Sequence, residues 1–294
     1  MTTNDKIYII GASGNIGERV VKQLLAKGVQ TTIYVRDVEK SKALFENNNS
    51  TLTTVQGDYS DFTNFEKSIQ GHTRLFLLVA DLQQMPAIKE KVAKIAYEAG
   101  VKQIVDLSSR FSQFPWRTSF IGEAHRLSEE RIYRLALQYN ATTVALRPSR
   151  FFTNHLFADL PNIKMEKTIY SSQPPDEKLE WISTDDIADI AVVVLTDPIE
   201  KHGNLAYPII GDAVDGQTRA KIVSKVTGQP IQYKQVSHQQ AYQTLIKNQV
   251  PSPIALDIAT VITDLPPSEV SKIVLGREFE TLAEWFEKNK DKFI

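Results

Sequence analysis

Three glycines near the start of the chain, in Gly11-Ala12-Ser13-Gly14-Asn15-Ile16-Gly17, are spaced G-x-x-G-x-x-G rather than G-x-G-x-x-G. They directly follow the apolar run Lys6–Ile10 and open a stretch, Asn15–Ala26, in which Ile16, Val20, Leu24 and Leu25 recur at helical spacing. Strand, tight turn and helix in that order suit a pyrophosphate. The first glycine permits the turn, the second lets a phosphate approach the backbone, and the third lets the helix pack on the strand. Amides at the start of the helix then present partial positive charge. Gly11, Ala12, Ser13, Gly14, Asn15 and Ile16 are therefore read as the binding backbone for a dinucleotide.

The end of the second strand sets which dinucleotide. Tyr34-Val35-Arg36-Asp37 places a guanidinium where NAD-selective sites place an acid. Arg36 can grip a 2′-phosphate bidentately and stack on adenine, which favours NADP(H). Asp37 keeps NAD(H) open, and Arg36 could instead be a solvated residue at a helix entrance capped by Asp37. In Gly57-Asp58-Tyr59, Asp58 can accept from the adenine amino group and Tyr59 can line its slot, the alternative being a turn with an Asp cap. Val79, closing a fourth strand over 74–79, joins the cofactor set.

His125 and Glu129 lie on a helix expected over 122–139. Four residues apart, they share a face. Paired, Glu129 would orient the imidazole and raise its pKa, making His125 a proton donor near neutral pH; the alternative is an ordinary surface pair. Ser108 and Ser109 close the fifth strand, where Ser108 can contact the cofactor and Ser109 a substrate. Phe111, Trp116 and Phe152 fall at the same edge and can stack on a planar substrate, although some of these aromatics must pack one lobe on the other. Asp185, Asp186 and Asp189 suit the start of a helix rather than a metal cluster, and no metal is expected.

The elements needed to hold these groups follow the same rhythm. Short apolar runs at 31–35, Leu52–Gln56, 74–79, Gln103–Leu107 and 143–147 alternate with helical stretches at Val38–Phe45, 62–69, 87–99 and 122–139. This βαβα order predicts an α/β fold: a Rossmann-type, doubly wound parallel sheet with a smaller C-terminal substrate lobe. Residues 1–150 are expected to form the dinucleotide-binding domain and 151–294 the lobe, with 181–197 returning to the large domain. The 34 basic and 35 acidic residues nearly cancel, so no overall field draws nucleic acid or anionic lipid. Cysteine is absent, which excludes disulfides and thiolate chemistry. With no apolar run of membrane-spanning length and no cationic leader, a cytoplasmic protein is expected. The oligomeric state is open.

The chain resembles the NmrA-like family of atypical short-chain dehydrogenase/reductases. Besides the glycine turn, Arg36 and Gly57-Asp58, the resemblance rests on Leu146-Arg147-Pro148 with Phe152 and Asn154, and on Trp181-Ile-Ser-Thr-Asp-Asp186-Ile-Ala-Asp189. It continues through Leu195-Thr-Asp-Pro198, His202-Gly203, Tyr207-Pro-Ile-Ile-Gly211 and Val226-Thr-Gly228-Gln-Pro-Ile. The family mixes quinone reductases, iminium reductases, other small-molecule reductases and silent cofactor sensors. Ordinary short-chain dehydrogenases carry Tyr-x-x-x-Lys after the fifth strand. Here the matching stretch is Ile121-Gly-Glu-Ala-His125, and His125-Arg-Leu-Ser-Glu129 resembles a His-x-x-x-Glu pattern of quinone-reducing relatives. The resemblance implies an NADPH-dependent reductase of a small conjugated, quinone-like or iminium acceptor. The alternative is a non-catalytic NADP(H) sensor that contacts a partner protein. Sugar-nucleotide epimerisation fits poorly, since it leans on the missing tyrosine.

Overall fold

The computed structural model describes residues 5–45, 50–260 and 265–294. The apolar run Lys6–Ile10 forms β1, whose Ile7, Tyr8, Ile9 and Ile10 are buried on both faces, as a central strand of a parallel sheet requires. It is followed by α1 (Asn15–Ala26), β2 (Gln30–Val35), α2 (Val38–Phe45), β3 (Leu52–Gln56), α3 (Thr63–Ser68), β4 (Arg74–Leu77), α4 (Met85–Glu98) and β5 (Gln103–Leu107). A 3-10 turn at Arg110–Gln113 leads to α5 (Phe120–Gln138) and β6 (Thr142–Pro148).

The second half is built from shorter pieces. These are β7 (Arg150–Phe151), α6 (His155–Ala158), α7 (Leu160–Glu166), β8 (Thr168–Ser171), β9 (Lys178–Ile182), α8 (Thr184–Thr196), α9 (Ile199–His202) and β10 (Ala206–Ile209). After them come β11 (Asp212–Asp215), α10 (Gly216–Thr227), β12 (Gln232–Gln235), α11 (His238–Lys247), α12 (Ser252–Ala259), α13 (Val270–Leu275), α14 (Leu282–Lys288) and α15 (Lys290–Phe293).

Seven strands make one sheet in the order β10-β6-β5-β4-β1-β2-β3, and every pairing in it is parallel. This is the doubly wound α/β fold that the alternation predicts. The chain leaves β1 toward β2 on one side and later returns to β4 on the other. A crevice therefore opens outside the carboxyl ends of β1 and β4, where open α/β sheets bind ligands. One face of the sheet is covered by α1 and α8, with Val20, Leu24, Ile187, Ala191 and Leu195 in a common core. The other is covered by α3, α4 and α5 through Phe65, Val92, Ala96 and Ile132.

Of residues 181–197, Trp181 and Ile182 pair with β11 and β7 in a small sheet, whereas α8 packs against the large one. Residues 206–209 join the large sheet as β10, beside β6. A third core gathers Phe152, Ile169, Trp181, Val223, Trp285 and Phe286 under the small sheets β11-β9-β7 and β12-β8. Asp185, Asp186 and Asp189 hold α8 in place: Asp185 pairs with Arg19, Asp186 with Arg277 at 2.7 Å, and Asp189 with Arg277 and with Gln23 at 2.7 Å. No described helix is long and apolar enough to cross a membrane.

Candidate active site

The glycine turn lies at the carboxyl end of β1, at the opening of the crevice. Gly11 has a positive φ of +88°, and a Cβ there would come within 2.8 Å of Leu78. Gly17 lies so close to the turn that a Cβ would fall 2.1 Å from the Gly11 carbonyl oxygen. Both are demanded by the chain's own packing. Gly14 differs: a Cβ there would meet only the Gly11 oxygen, at 3.4 Å. Gly14 also occupies the N-cap of α1 and gives that helix no side-chain cap. The first amides of α1 therefore keep unspent donor capacity behind a position without a side chain. That cradle fits a diphosphate. Ala12 and Ile16 anchor it in the core, while Ser13 is half-buried and Asn15 exposed.

Arg36 follows β2 and is exposed; among the described residues no carboxylate lies within 4.0 Å of its guanidinium. Asp37 spends its carboxylate on the Lys40 amide, 2.9 Å away at the start of α2. The strand end thus presents an exposed guanidinium beside a committed acid, close enough to Asp58 and Tyr59 to act on their charges. Asp58 accepts from the Ser60 amide at 2.7 Å and its hydroxyl at 2.5 Å through Oδ1, and these bonds lower its pKa. Tyr59 stacks on Phe62 with centroids 6.4 Å apart, and burial pushes its phenol up to about 12. Tyr34 fixes the turn from below, donating from its hydroxyl to the carbonyls of Asp58 at 3.0 Å and Asp61 at 3.2 Å. Val79 is buried in the core beneath the crevice.

On the other side of the crevice, α5 begins two residues earlier than its periodicity predicts. Ser119 Oγ accepts from the Gly122 amide at 2.8 Å, and Asp257, reaching over from α12, accepts from the Ile121 amide at 2.7 Å. A Cβ at Gly122 would lie 2.3 Å from the Phe111 carbonyl oxygen, so α5 is pressed onto the 3-10 turn.

The expected pair of His125 with Glu129 is not formed. Glu129 is held by Arg147 of β6, whose Nε lies 3.0 and 3.1 Å from its two oxygens and whose Nη2 makes a further contact. Glu129 also takes a short hydrogen bond from Ser108 Oγ. His125 is buried, its Nδ1 has no partner, and burial together with the Lys89 charge pushes its pKa well below the ordinary value. The imidazole is neutral near pH 7, opposite in direction to the sequence expectation. A bidentate guanidinium simply outcompetes an imidazole for the carboxylate. Beneath these groups lies a fully buried pair, Lys89 with Asp106 at 2.6 Å, with Lys89 also donating to the Leu107 carbonyl at 2.9 Å.

The remaining residues singled out in the sequence separate. Ser109 Oγ accepts from the Phe111 amide at 3.2 Å, capping the 3-10 turn. Phe111 is half-buried and stacks on Phe114 at 4.7 Å. Trp116 projects outward, 70% exposed, with Arg117 5.5 Å above its ring. Phe152, expected to line a pocket, contributes no surface. It is wholly buried with its ring 6.0 Å from Trp285, because an apolar residue entering the small lobe meets that core first.

Sequence reasoning missed the Arg147 clamp, the Lys89–Asp106 pair, and Arg110 and Arg150 at the same edge. A lysine among the apolar positions Ile88, Val92 and Ala96 of α4, and an aspartate inside the strand Gln103–Leu107, were the available signals.

The profile of the NmrA-like family matches residues 3–265. A NAD(P)H azoreductase of Xenophilus azovorans is 28% identical over 289 residues, covering 95% of this chain and 96% of that protein. Among solved structures, the NADPH-dependent quinone oxidoreductase of Escherichia coli complexed with NADPH superposes with a TM-score of 0.80 at 22% identity, covering 96% and 99% of the two chains. NmrA, a negative transcriptional regulator solved in complex with NADP, superposes at 0.78 with 13% identity, covering 97% and 95%.

Proposed function

The chain belongs to the NmrA-like family, and on that premise we propose that it is an NADPH-dependent reductase of a small conjugated, quinone-like or iminium acceptor. The uncapped start of α1 behind Gly14 carries this reading, with the exposed Arg36 beside it. The reductases among its relatives agree with it. When bound, the nicotinamide supplies the hydride; the chain supplies binding, orientation and exclusion of water.

Amides at positions 13–16 hold the diphosphate, Arg36 takes the 2′-phosphate, and Asp58 and Tyr59 frame the adenine; NADH is the weaker ligand. At the nicotinamide end Ile121 replaces the proton-donating tyrosine of ordinary short-chain dehydrogenases, and His125 is neutral. The hydroxyl proton of Ser108 is committed to Glu129, so the protein offers a neutral imidazole but no charged acid. Such a site suits acceptors that are electron-poor or already cationic, and not simple ketones.

Following NADPH oxidation across quinones, azo compounds, triarylmethane cations and simple ketones tests this. Turnover with the first three classes and at least a hundredfold less with ketones is expected. Tight NADPH binding with no turnover on any class would instead favour a second reading, a cofactor sensor that contacts a partner protein. The neutral His125, whose buried Nδ1 has no hydrogen-bond partner, is the observation on its side.

A further inference from the structure

The helix pair α11 and α12 has almost no core of its own. α11 buries no residue, and α12 buries only Ala255 and Ala259. Ile246, Leu256 and Ile258 stay exposed, so little apolar surface leaves water where the pair docks. What holds it is polar and lies at the end of α12. On the small lobe, the buried Ser172 donates from Oγ to the Ala259 carbonyl at 2.9 Å, and His238 Nδ1 lies 2.6 Å from the same oxygen. On the large domain, the Asp257 carboxylate accepts three hydrogen bonds. They come from Ser119 Oγ at 2.9 Å, the Phe120 amide at 3.2 Å and the Ile121 amide at 2.7 Å.

The two amides belong to the first turn of α5, where a helix has no acceptors of its own to offer. Ser119 already serves the next two, accepting from the Gly122 amide through Oγ at 2.8 Å and from the Glu123 amide through its carbonyl at 2.9 Å. Phe120 and Ile121 therefore depend on Asp257, whose charge also faces the positive end of the helix. This turn borders the site. Gly122 is pressed against the Phe111 carbonyl, and on the reductase reading Ile121 stands at the nicotinamide end, one turn before His125. An element with few buried apolar contacts opens locally, as a unit and at low cost. When α12 leaves, both amides of α5 lose their acceptor at the same moment.

We propose that α11 and α12 form a strap that docks on α5 through Asp257 and lifts off it as one unit, staying rooted on the small lobe at Ser172. The docked strap holds the α5 wall of the crevice in the shape that receives the acceptor. Asp257 is a positioning residue, acting through the Phe120 and Ile121 amides. The role of the wall rests on the reductase reading, but the lifting of the strap does not require turnover.

The test is amide hydrogen exchange on the full-length protein, wild type and Asp257→Ala. In the wild type, residues 238–259 should exchange together and about a hundredfold faster than α4. Asp257→Ala should speed exchange of 238–259 and of Phe120 and Ile121 alike, by about tenfold, and leave β1, β4 and α10 unchanged. Asp257→Asn, which keeps one acceptor oxygen, should fall between. With 1,4-naphthoquinone as acceptor, Asp257→Ala should raise its KM about threefold or more, with kcat and NADPH affinity unchanged. A strap as protected as α4, loss of protection at Phe120 and Ile121 without 238–259, or an unchanged KM once the strap is loosened would overturn the proposal. If Asp257→Ala does not fold, the wild-type exchange and Asp257→Asn decide. Concerted exchange without NADPH oxidation by any acceptor would leave the strap standing and remove the reductase reading. Oxidation with a strap as protected as α4 would do the reverse.

Discussion

At the scale of single residues, the side chain with the clearest thermodynamic signature is His125. Its pKa falls well below the unfolded value of 6.5 because burial and Lys89 both disfavour the charged ring. Between those two values the unfolded chain binds the extra proton, so stability is full above pH 6.5 and is lost as pH falls. One such histidine contributes up to about 1.4 kcal/mol per pH unit. His72, His155 and His202 shift the same way. Thermal unfolding at pH 7 and pH 5 should therefore show a smaller loss for His125→Gln than for the wild type, and identical losses would mean the ring is not buried as described. The sequence revealed that His125 and Glu129 share a helix face. It did not reveal that Arg147, on a neighbouring strand, reaches Glu129 first. Spacing along one helix reports which residues can meet, and the competing partner arrives through tertiary structure.

At the scale of elements, the three glycines do different work and should separate in experiment. A methyl group at Gly17 would lie 2.1 Å from a backbone oxygen, which forces the strand and helix apart. Gly17→Ala should cost about 1–3 kcal/mol of stability and lose cofactor binding with it. A methyl at Gly14 meets only one atom, at 3.4 Å. Gly14→Ala should leave stability within about 1 kcal/mol of wild type while weakening NADPH binding at least tenfold, since the methyl stands where the diphosphate approaches. Thermal melts and titrations of both variants check this, and a Gly14→Ala protein with unchanged affinity would remove the cradle. Elements of the large sheet were legible because periodicity and caps are local: β1 and α1 begin and end where their residues predict. The small lobe was not. Its strands run two to five residues, and Gln232–Gln235 pairs with Thr168–Ser171, a partner no local pattern announces.

At the scale of the whole molecule, the site is held from both halves of the chain. Asp257 of α12 caps α5, Arg277 fastens the C-terminal segment to α8, and β10 completes the sheet beside β6. The crevice itself follows from the strand order; the alternation of elements predicts the doubly wound parallel sheet but not that order, and the walls depend on long-range ion pairs that no spacing encodes. All of it serves one claim: amides at the positive end of α1 clasp a diphosphate, with Arg36 selecting the 2′-phosphate. Calorimetric titration with NADPH and NADH, on the wild type and on Arg36→Ala, tests that claim most directly. NADPH should bind the wild type about ten- to hundredfold more tightly than NADH, and Arg36→Ala should remove most of that difference. Absence of saturation by either nucleotide, or equal losses for both on replacing Arg36, would contradict it.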